Sequence, residues 1–312
     1  MGAPVILSIG SINADLEFRN FRSLRDQGTI RTGGFAERPG GKGANAAFFT
    51  HRMGAPTILL GRVGSDHYAD IALQPLRSAG MELSGVTITN EAPTGIAIVA
   101  VPKDGNKTML CASNANMLWD ASAIELVHKT ILTAADNSIL IADFETSRNV
   151  LEVAFTSAEQ RGFRILVDPT FPEEIDLSLL RRFYAITPNQ TEAEGLLERK
   201  IVTEEDAADA AKELHERGVD IVCVKLSRGG CVFCHQGEMS MLAAPKVEVV
   251  DKTGAGDAFV GALAAALYEG RRPVEAARWG VAASSISVTR MGAQASYPDR
   301  QEFLDFLSKL PK

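Results

Sequence analysis

Residues 138–168 read SILIADFETSRNVLEVAFTSAEQRGFRILVD. The apolar run Ser138–Ala142 is typical of a buried strand, and Arg164–Asp168 is typical of a second one. Between them, the pattern of Ser147–Arg161 predicts a helix. A strand, a helix and another strand in this order indicate a mostly parallel sheet with helices covering both of its faces.

The same alternation extends in both directions from this unit. We therefore expect a three-layer α/β/α fold in which residues 1–312 form a single domain, because no repeat, low-complexity tract or linker interrupts the chain. Further strands are predicted at Val5–Ile9, Thr57–Val63, Tyr184–Thr187 and Asp220–Lys225, in a hairpin within Gly230–Met241, and in the β-type run Val247–Val250. Further helices are predicted to end at about Met53 and to span Asp66–Ala79, Ala121–Leu132, Leu177–Arg182, Thr191–Glu198, Glu204–Arg217, Ala258–Tyr268 and Pro273–Thr289.

Two segments, at about 15–36 and 94–112, depart from this alternation. Leu16–Phe35 is poor in core residues and reads as strands and loop. Thr94–Val101 and Lys107–Cys111 read as the two strands of a hairpin that turns at the Asp-Gly pair of residues 104 and 105. We expect these segments to form a small β layer outside the main core.

Composition and charge narrow the class of protein. The chain has 312 residues, of which 46% are hydrophobic and 23% charged, which is ordinary for a globular protein. Its net charge of −7 and the lack of a basic block argue against nucleic acid and anionic membrane surfaces as partners. The sequence also shows no secretory signal and no apolar run of about 20 residues, so the cytoplasm is the expected location.

The four cysteines predict neither a disulfide framework nor a metal site. Cys231 and Cys234 match the redox pattern C-x-x-C, and with His235 they also match the haem-attachment pattern. In a strand, however, residues three apart point to opposite faces, so we expect structural thiols. Cys111 and Cys223 offer no second pair for zinc.

The stretch 251–259, DKTGAGDAF, carries the strongest functional signal. Gly254 and Gly256 let the backbone turn tightly and expose consecutive N–H groups where a helix begins. The unpaired donors and the positive dipole end of a helix N-terminus make this turn a candidate anion site. Asp257 places a carboxylate beside it. The alternative is that Asp257 only caps the helix, but a cap alone would not require both glycines.

Polar residues also follow several predicted strands. Asn13 and Asp15 follow the first strand, where open α/β sheets bind ligands, although both residue types also favour ordinary turns. Asp143 and Glu145 follow the strand at 138–142. Asp168 ends the next strand, and here we expect a helix cap.

The glycine-rich stretch 39–47, PGGKGANAA, invites comparison with a P-loop. A P-loop needs Ser or Thr directly after its lysine to reach Mg²⁺, and Gly43 stands there instead. We therefore predict a ligand pocket lined by backbone, with Lys42 and Asn45 as donors.

Asn189 and Glu192 lie three residues apart at the start of a predicted helix. A carboxylate beside phosphates commonly holds Mg²⁺, often through water. The same spacing also fits a capping box, in which Asn189 and Glu192 satisfy the first backbone N–H groups of the helix. The two interpretations are compatible, and both stay open.

These motifs together resemble the ribokinase-like (PfkB) family of carbohydrate kinases, over essentially the whole chain. The resemblance rests on GSINAD at 10–15, GGKGAN at 40–45, NQTE at 189–192 and DKTGAGD at 251–257, in this order. The segments ASNAN at 112–116 and VTRMGAQ at 288–294 are ribokinase-like as well.

The resemblance implies ATP-dependent transfer of the γ-phosphoryl group to a sugar hydroxyl, with ribose as the leading substrate. It implies that Asp257 is the base and that the backbone of Gly254, Ala255 and Gly256 stabilises the transferring phosphoryl group. It further implies sugar binding by Asn13, Asp15, Gly41, Lys42, Asn45 and Glu145; nucleotide binding by Asn189, Lys225, Ser227 and Gly230; Mg²⁺ bound through water by Glu192; and a monovalent cation, usually K⁺, held by Asp251, Thr253, Ser287, Arg290, Gly292 and Ser296.

The resemblance also assigns the small β layer a role as a lid that excludes water from ATP. Such lids often pair two subunits in the family, so a homodimer through the lid is expected. The chain departs from ribokinases at Ser227, where Gly is usual, at Lys225, where Thr is common, at Val281, where His is frequent, and at the pair 143–144 before Glu145.

Two alternatives stay open. The substrate could instead be fructose or a fructose phosphate, a 2-keto-3-deoxy sugar acid, or a nucleoside. An anionic substrate would need additional cations at the pocket, for which Lys42, Arg19, Arg22 and Arg31 are candidates. A catalytically silent sugar-binding protein on the same fold is the other alternative, and the intact Asp257 and glycine turn argue against it.

Overall fold

The computed structural model describes residues 2–22, 28–103 and 107–310. Its strands are β1 (Ile6–Ile9), β2 (Asn13–Phe21), β3 (Gly34–Gly40), β4 (Thr57–Gly64), β5 (Val86–Thr89), β6 (Gly95–Pro102), β7 (Thr108–Ala112), β8 (Ile139–Asp143), β9 (Arg164–Asp168), β10 (Ala185–Ile186), β11 (Ile221–Lys225), β12 (Cys231–His235) and β13 (Glu238–Leu242). Its α-helices are α1 (Lys42–Arg52), α2 (His67–Ser78), α3 (Ala121–Thr133), α4 (Arg148–Gln160), α5 (Gln190–Leu197), α6 (Glu204–Glu216), α7 (Ala255–Tyr268), α8 (Pro273–Ser287) and α9 (Arg300–Ser308).

Nine of these strands form the central sheet, in the order β13-β12-β11-β10-β9-β8-β1-β4-β5. The strands from β11 to β5 pair in parallel, and β12 and β13 add an antiparallel edge. Parallel pairing brings the carboxyl ends of neighbouring strands together, and Asp143 lies opposite Asp168 in the β8–β9 register. The predicted three-layer α/β/α fold is confirmed.

Two apolar cores cover the two faces of this sheet. One includes Phe49 of α1, Phe259 of α7 and Trp279 of α8, and the other includes Val127 of α3 and Phe155 of α4. Full burial of one such side chain contributes roughly 1.5–3 kcal/mol, so both layers are held firmly to the sheet. Helices α1 and α7, which carry Lys42, Asn45 and Asp257, belong to the first layer, whereas α5, which carries Glu192, packs in the second.

The cysteines of β12 lie on opposite faces, as the strand geometry predicts. Cys231 belongs to the first core and Cys234 to the second. Both are buried and free, as is Cys223, while Cys111 is free and exposed. A redox or haem role for C-x-x-C finds no support in this arrangement.

The small β layer that was predicted to be a lid, called the lid below, is a separate four-stranded sheet with the order β3-β2-β6-β7. Strand β2 pairs with β3 antiparallel and with β6 in parallel, and β6 pairs with β7 antiparallel. The predicted hairpin of 94–112 is present, although its turn at 104–106 lies outside the described residues, as does 23–27 of the first lid segment. Strand β2 begins at Asn13 and β3 reaches Gly40, so the lid grows directly out of the predicted sugar-binding stretches.

The local structure differs from the prediction in several places. Strand β5 was not anticipated, because its alternating polar residues lie at a sheet edge. The run Val247–Val250 forms no strand; Val249 and Val250 are about half exposed, and Val250 N–H donates to Val288 O rather than to a neighbouring strand. Leu177–Arg182 is a 3-10 helix capped by Asp176. Within the described ranges, no helix has the length and apolar character needed to cross a bilayer.

Candidate active site

A cavity of about 1260 Å³ lies between the carboxyl ends of the central strands and the lid. This is where ligands bind in open α/β sheets. The residues predicted to bind sugar, nucleotide and Mg²⁺ or to take part in catalysis all line it: Asn13, Asp15, Gly41, Lys42, Asn45, Glu145, Asn189, Glu192, Lys225, Ser227, Gly230, Gly254, Ala255, Gly256 and Asp257.

The glycine turn opens helix α7 at the centre of this cavity. Gly254 has a φ of +75°, and a Cβ there would lie 2.6 Å from Ala293 Cβ, so only glycine fits without strain. Tyr297 Oη donates to Gly254 O at 2.8 Å and fixes the turn from below. The first backbone N–H groups of α7 are therefore held in place at the cavity wall, as a phosphate cradle requires.

Asp257 lies in the first turn of α7, buried, with its carboxylate between two donors of α1. Asn45 Nδ2 donates to Asp257 Oδ2 at 2.8 Å, and Lys42 Nζ lies 3.6 Å from Asp257 Oδ1. Gln294 Nε2 donates to Asn45 Oδ1 at 3.0 Å, which orients that amide toward Asp257. The N-cap of α7 is Gly254 without a side-chain cap, so Asp257 is not the helix cap that the alternative required.

Asp168 is a site residue that the sequence reasoning missed. Its carboxylate accepts from Lys225 Nζ at 2.8 Å and from Lys42 Nζ at 3.3 Å. Burial alone would raise its pKa, but the charges of Lys225 and Lys42 lower the pKa of Asp168 to about 2. The expected helix cap is thus wrong: Asp168 is a buried anion that holds two lysines at the floor of the cavity.

Burial and mutual charge explain why these lysines stay protonated. Desolvation would lower the pKa of Lys42, but Asp168 and Asp257 raise it well above its ordinary value. The pKa of Lys225 is raised in the same way, mainly by Asp168 and Glu192. Two fixed positive charges therefore line the cavity, and such charges can pair with anionic groups of a ligand.

The predicted sugar end is built where β1 passes into β2. Asn116 Nδ2 donates to Asn13 Oδ1 at 2.8 Å, which orients the Asn13 side chain. Burial raises the pKa of Asp15 to about 7, with the charges of Glu145 and Asp257 acting in the same direction and Lys107 acting against them.

A chain of hydrogen bonds joins three of the predicted motifs at this end. Lys42 N donates to Ser11 Oγ at 2.8 Å, and Ser11 Oγ donates to Glu145 Oε2 at 2.8 Å. Asp143, next to Glu145, accepts from the Ser11 N–H at 3.1 Å and does not line the cavity. Asp143 therefore supports the loop, while Glu145 faces the ligand space.

Apart from the Lys225 ammonium, the predicted nucleotide side is made mainly of backbone. Gly230 has a φ of +81°, and a Cβ there would collide with Leu242 O. Ser227 N donates to Gln190 Oε1 at 2.9 Å, and the Ser227 side chain is exposed. The shape of this cavity wall is therefore determined more by the backbone conformation than by the side chains.

Asn189 and Glu192 form the capping box. Glu192 N donates to Asn189 Oδ1 at 2.9 Å, and Asn189 N donates to Glu192 Oε2 at 2.7 Å. Burial, followed by the charge of Asp168, raises the pKa of Glu192. The described residues contain no cluster of three or more Asp, Glu, His or Cys suited to a metal. Mg²⁺ commonly binds one or two carboxylates, waters and substrate phosphates, so the partly buried Glu192, which lines the cavity, fits that ion.

The loops predicted to hold a monovalent cation lie mostly outside the cavity, and hydrogen bonds join their residues. Both oxygens of Asp251 already accept hydrogen bonds, from Thr253 and from Gly292 N–H. Ser287 O accepts from Arg290 N, while the Arg290 guanidinium pairs with Glu302. Ser296 Oγ donates to Ala293 O at 2.6 Å. Of the six predicted residues, only Thr253 lines the cavity.

The lid contributes cavity residues that sequence reasoning also missed, namely Ala97, Lys107, Met109 and Cys111. The last three alternate along the chain leading into and along β7, so they share a face of the strand. That alternation was visible in the sequence, but nothing there showed which face points inward.

A family model for pfkB family carbohydrate kinases matches residues 4–300. The chain belongs to the pfkB carbohydrate kinase family. Members of this family are phosphotransferases that act on sugar hydroxyls, so this pfkB kinase is an enzyme of that class, and its relatives and structural neighbours make it an ATP-dependent kinase of the ribokinase type.

The relatives of this pfkB kinase agree over almost their full length. It is 31% identical to a ribokinase of Haemophilus influenzae over 299 residues, covering 96% of this chain and 97% of that protein. It is 32% identical to a ribokinase of Arabidopsis thaliana, covering 98% of this chain and 81% of that protein. The structure of Arabidopsis thaliana ribokinase with ribose and ATP aligns with a TM-score of 0.86 at 30% identity, covering 99% of this chain and 100% of that one. The structure of Thermotoga maritima ribokinase aligns with a TM-score of 0.85 at 31% identity, covering 98% of this chain and 100% of that one.

Proposed function

We propose that this kinase transfers the γ-phosphoryl group of ATP to a hydroxyl of ribose. The observation that carries the proposal is the position of Asp257, a buried carboxylate beside the glycine turn and within hydrogen-bonding distance of Asn45. At this point the predicted sugar residues and the phosphate cradle line one cavity.

In the proposed reaction, Asp257 accepts the proton of the attacking sugar hydroxyl. The hydroxyl oxygen forms a bond to the γ-phosphorus as the bond to the β–γ bridging oxygen breaks, which leaves ADP. The N–H groups at Gly254, Ala255 and Gly256 stabilise the charge of the transferring group, and a comparable donor contributes about 10²–10³ in rate in other enzymes. Phosphoryl transfer depends mainly on such alignment and charge stabilisation.

Lys42 lies between the base and the proposed position of the ATP phosphates. It contacts both Asp257 and Asp168, so its ammonium is fixed between the base and the phosphate side. Lys225 is fixed by Asp168 from the other direction. Mg²⁺ would neutralise phosphate charge when bound, and we propose that Glu192 holds it through water.

The distribution of cations favours a neutral sugar over an anionic one. Among the lid arginines that an anionic substrate could use, Arg22 and Arg31 do not line the cavity, and Arg19 is engaged by Glu17 and Asp251. Lys42 is committed to two carboxylates, and Lys107, a lid lysine that lines the cavity, donates to Thr253 Oγ1. Ribose, which donates hydroxyls to Asn13, Asp15 and Glu145, suits this mostly anionic sugar end better.

We further propose a homodimer that forms through the lid. Outside the cavity, the lid exposes large apolar side chains, with Leu110 65% and Phe35 55% exposed, and such patches favour association. Light scattering should show a dimer for the wild type and a monomer for Leu110→Arg. A monomeric wild type would contradict the dimer.

We also propose the cytoplasm as the site of action, because the free cysteines suit its reducing environment.

The test of the proposed function is a panel of sugars and nucleosides with ATP and Mg²⁺, read by coupled detection of ADP. We expect the highest kcat/KM for ribose. A higher value for fructose, a fructose phosphate, a sugar acid or a nucleoside would overturn the choice of substrate. Saturable sugar binding without any ADP release would identify a silent sugar-binding protein instead.

A further inference from the structure

Two lysines meet at one buried carboxylate beside the glycine turn. Asp168 accepts from Lys225 Nζ through Oδ1 at 2.8 Å and from Lys42 Nζ through Oδ2 at 3.3 Å. The Asp168 side chain is 3% exposed and does not line the cavity, whereas both lysines do. Asp168 is therefore placed to act on a ligand through the two ammonium groups that it holds, without touching that ligand.

The Lys225 ammonium lies directly beside the glycine turn. A Cβ at Gly256 would be 3.2 Å from Lys225 Nζ and 3.8 Å from Asp168 Oδ2, so the lack of a side chain at Gly256 leaves room for this ammonium. Lys42 Nζ, in contrast, lies 3.6 Å from the carboxylate of Asp257. The two lysines thus divide the site, with Lys42 at the proposed base and Lys225 at the phosphate cradle.

The main chain fixes the position of Lys225 as well. Lys225 is the last residue of β11 and pairs there with Cys231 of β12. Its N–H donates to Pro188 O at 2.7 Å, which joins the end of β11 to the loop before α5. Because both the backbone and the ammonium of Lys225 are already held, little conformational freedom is left to lose when an anion binds. Positive charge that is fixed in advance in this way stabilises the charge of a transferring phosphoryl group.

We propose that Lys225 is a catalytic residue whose ammonium contacts the transferring γ-phosphoryl group beside the N–H groups of the glycine turn, and that Asp168 is the positioning residue that holds it there. The proposal rests on the proposed function. The sugar oxygen bonds to the γ-phosphorus, the bond to the β–γ bridging oxygen breaks, and the hydroxyl proton passes to Asp257. Lys225 keeps its own proton and contributes only its charge.

Kinetics of Lys225→Met test this contact. The substitution removes the charge of Lys225 and leaves Asp168 paired with Lys42. We expect kcat at saturating ATP and ribose to fall about 30-fold, which corresponds to the loss of one charged hydrogen bond in the transition state. Lys129→Met, which removes a lysine from an exposed pair with Glu125, is the matched control and should stay within about twofold. An unchanged kcat in Lys225→Met would overturn the proposal and leave a purely structural ion pair.

A binding measurement separates the γ-phosphoryl group from the rest of the nucleotide. Calorimetry is carried out on the wild type and on Lys225→Met with ATP and with ADP, each with Mg²⁺ and without sugar. We expect the variant to raise the Kd for ATP about fivefold and to change the Kd for ADP less than about twofold, because only ATP carries the group that Lys225 contacts. An equal loss of affinity for both nucleotides would place Lys225 at the α- or β-phosphate and overturn the proposal.

A double-mutant cycle tests the positioning role of Asp168. We expect Asp168→Asn to lower kcat about tenfold in the wild type but only about threefold in the Lys225→Met background, since part of its effect passes through the lost ammonium. Equal factors in the two backgrounds would show that Asp168 does not act through Lys225. If Asp168→Asn does not fold, as failure to bind ADP would show, Asp168→Glu takes its place in the cycle.

Failure of the proposed function can be told apart from failure of this contact. If the wild type phosphorylates no sugar, the proposed function fails. The comparison of ATP with ADP affinity requires no turnover, so it still shows whether Lys225 contacts the γ-phosphoryl group.

Discussion

The two halves of the cavity are built by different means. In the sugar half, buried side chains from β2, α1, β9 and α7 contact each other, as in the pair Asn45–Asp257 and the Lys42 contacts to Asp168 and Asp257. In the nucleotide half, loops present their backbone, and the exposed Ser227 contributes its N–H to Gln190. Substitutions should therefore affect activity strongly in the sugar half, where side chains form the site. They should have less effect in the nucleotide half, where the backbone conformation forms it.

Substitution of Lys42 should have the largest effect outside the base itself. Lys42→Met leaves Asp168 and Asp257 buried without their shared cation, and we expect kcat to fall about 10²-fold because phosphate charge loses a fixed positive partner. Steady-state kinetics with saturating ATP and sugar measure this. Lys212→Met, in an exposed pair with Glu216, is the control and should stay within about twofold. Equal rates for Lys42→Met and wild type would show that the sugar half is less sensitive to side-chain identity than we argue.

Glu192 lies where the two halves meet and should show an intermediate effect. Glu192→Gln can still accept from Asn189 N, which preserves the capping box, but it removes the charge that would attract Mg²⁺. We expect the Mg²⁺ concentration for half-maximal rate to rise about tenfold. Glu194→Gln, in the same helix but outside the cavity, should leave it unchanged. If the rate of Glu192→Gln depends on the Mg²⁺ concentration in the same way as that of the wild type, Glu192 does not bind the ion.

Asp15 should give the sugar half a dependence on pH. Since its pKa is raised to about 7, kcat/KM for the sugar should rise with pH up to about 7.5 as the carboxylate forms and accepts hydroxyl hydrogen bonds. The folded state holds this proton between pH 3.8 and 7 while the unfolded state does not, so wild-type stability should fall across that window relative to Asp15→Asn. Melting temperatures of the two proteins at pH 5 and 8 measure the difference. An equal change in melting temperature between pH 5 and 8 for the two proteins would contradict the raised pKa of Asp15.

Ser227 should give the smallest effect. Ser227→Gly keeps the N–H that binds Gln190 and removes only an exposed side chain, so the KM for ATP should change by less than about twofold. A tenfold change would break the comparison, because it would show that a side chain in the nucleotide half carries binding energy.

Much of this arrangement could be predicted from local patterns. The strand–helix periodicity of residues 138–168 led to the three-layer fold, and the Asn189–Glu192 spacing led to the capping box that is present. The helix predicted from Asp66 is present as α2, and the Asp66 side chain caps it by accepting from Ala69 N. These features depend on neighbours within a few residues, which the sequence displays directly.

What could not be predicted depends on contacts between distant segments. Asp168 was expected to cap a helix, but parallel pairing of β8 and β9 and the arrival of Lys42 and Lys225 make it a buried anion. Lys107 reaches Thr253, 146 residues away. Val247–Val250 has strand propensity without a neighbouring strand to pair with, so its local preference had no effect.

The most direct test of the central claim is a single-turnover experiment on Asp257→Asn. Enzyme in excess is mixed with labelled ATP, Mg²⁺ and saturating ribose, and label transfer to the sugar is followed after rapid quenching. We predict that transfer slows about 10³-fold relative to wild type, within the range for loss of a general base, while calorimetric affinities for ATP and ribose change little. Transfer by Asp257→Asn at the wild-type rate would contradict the assignment of Asp257 as the base.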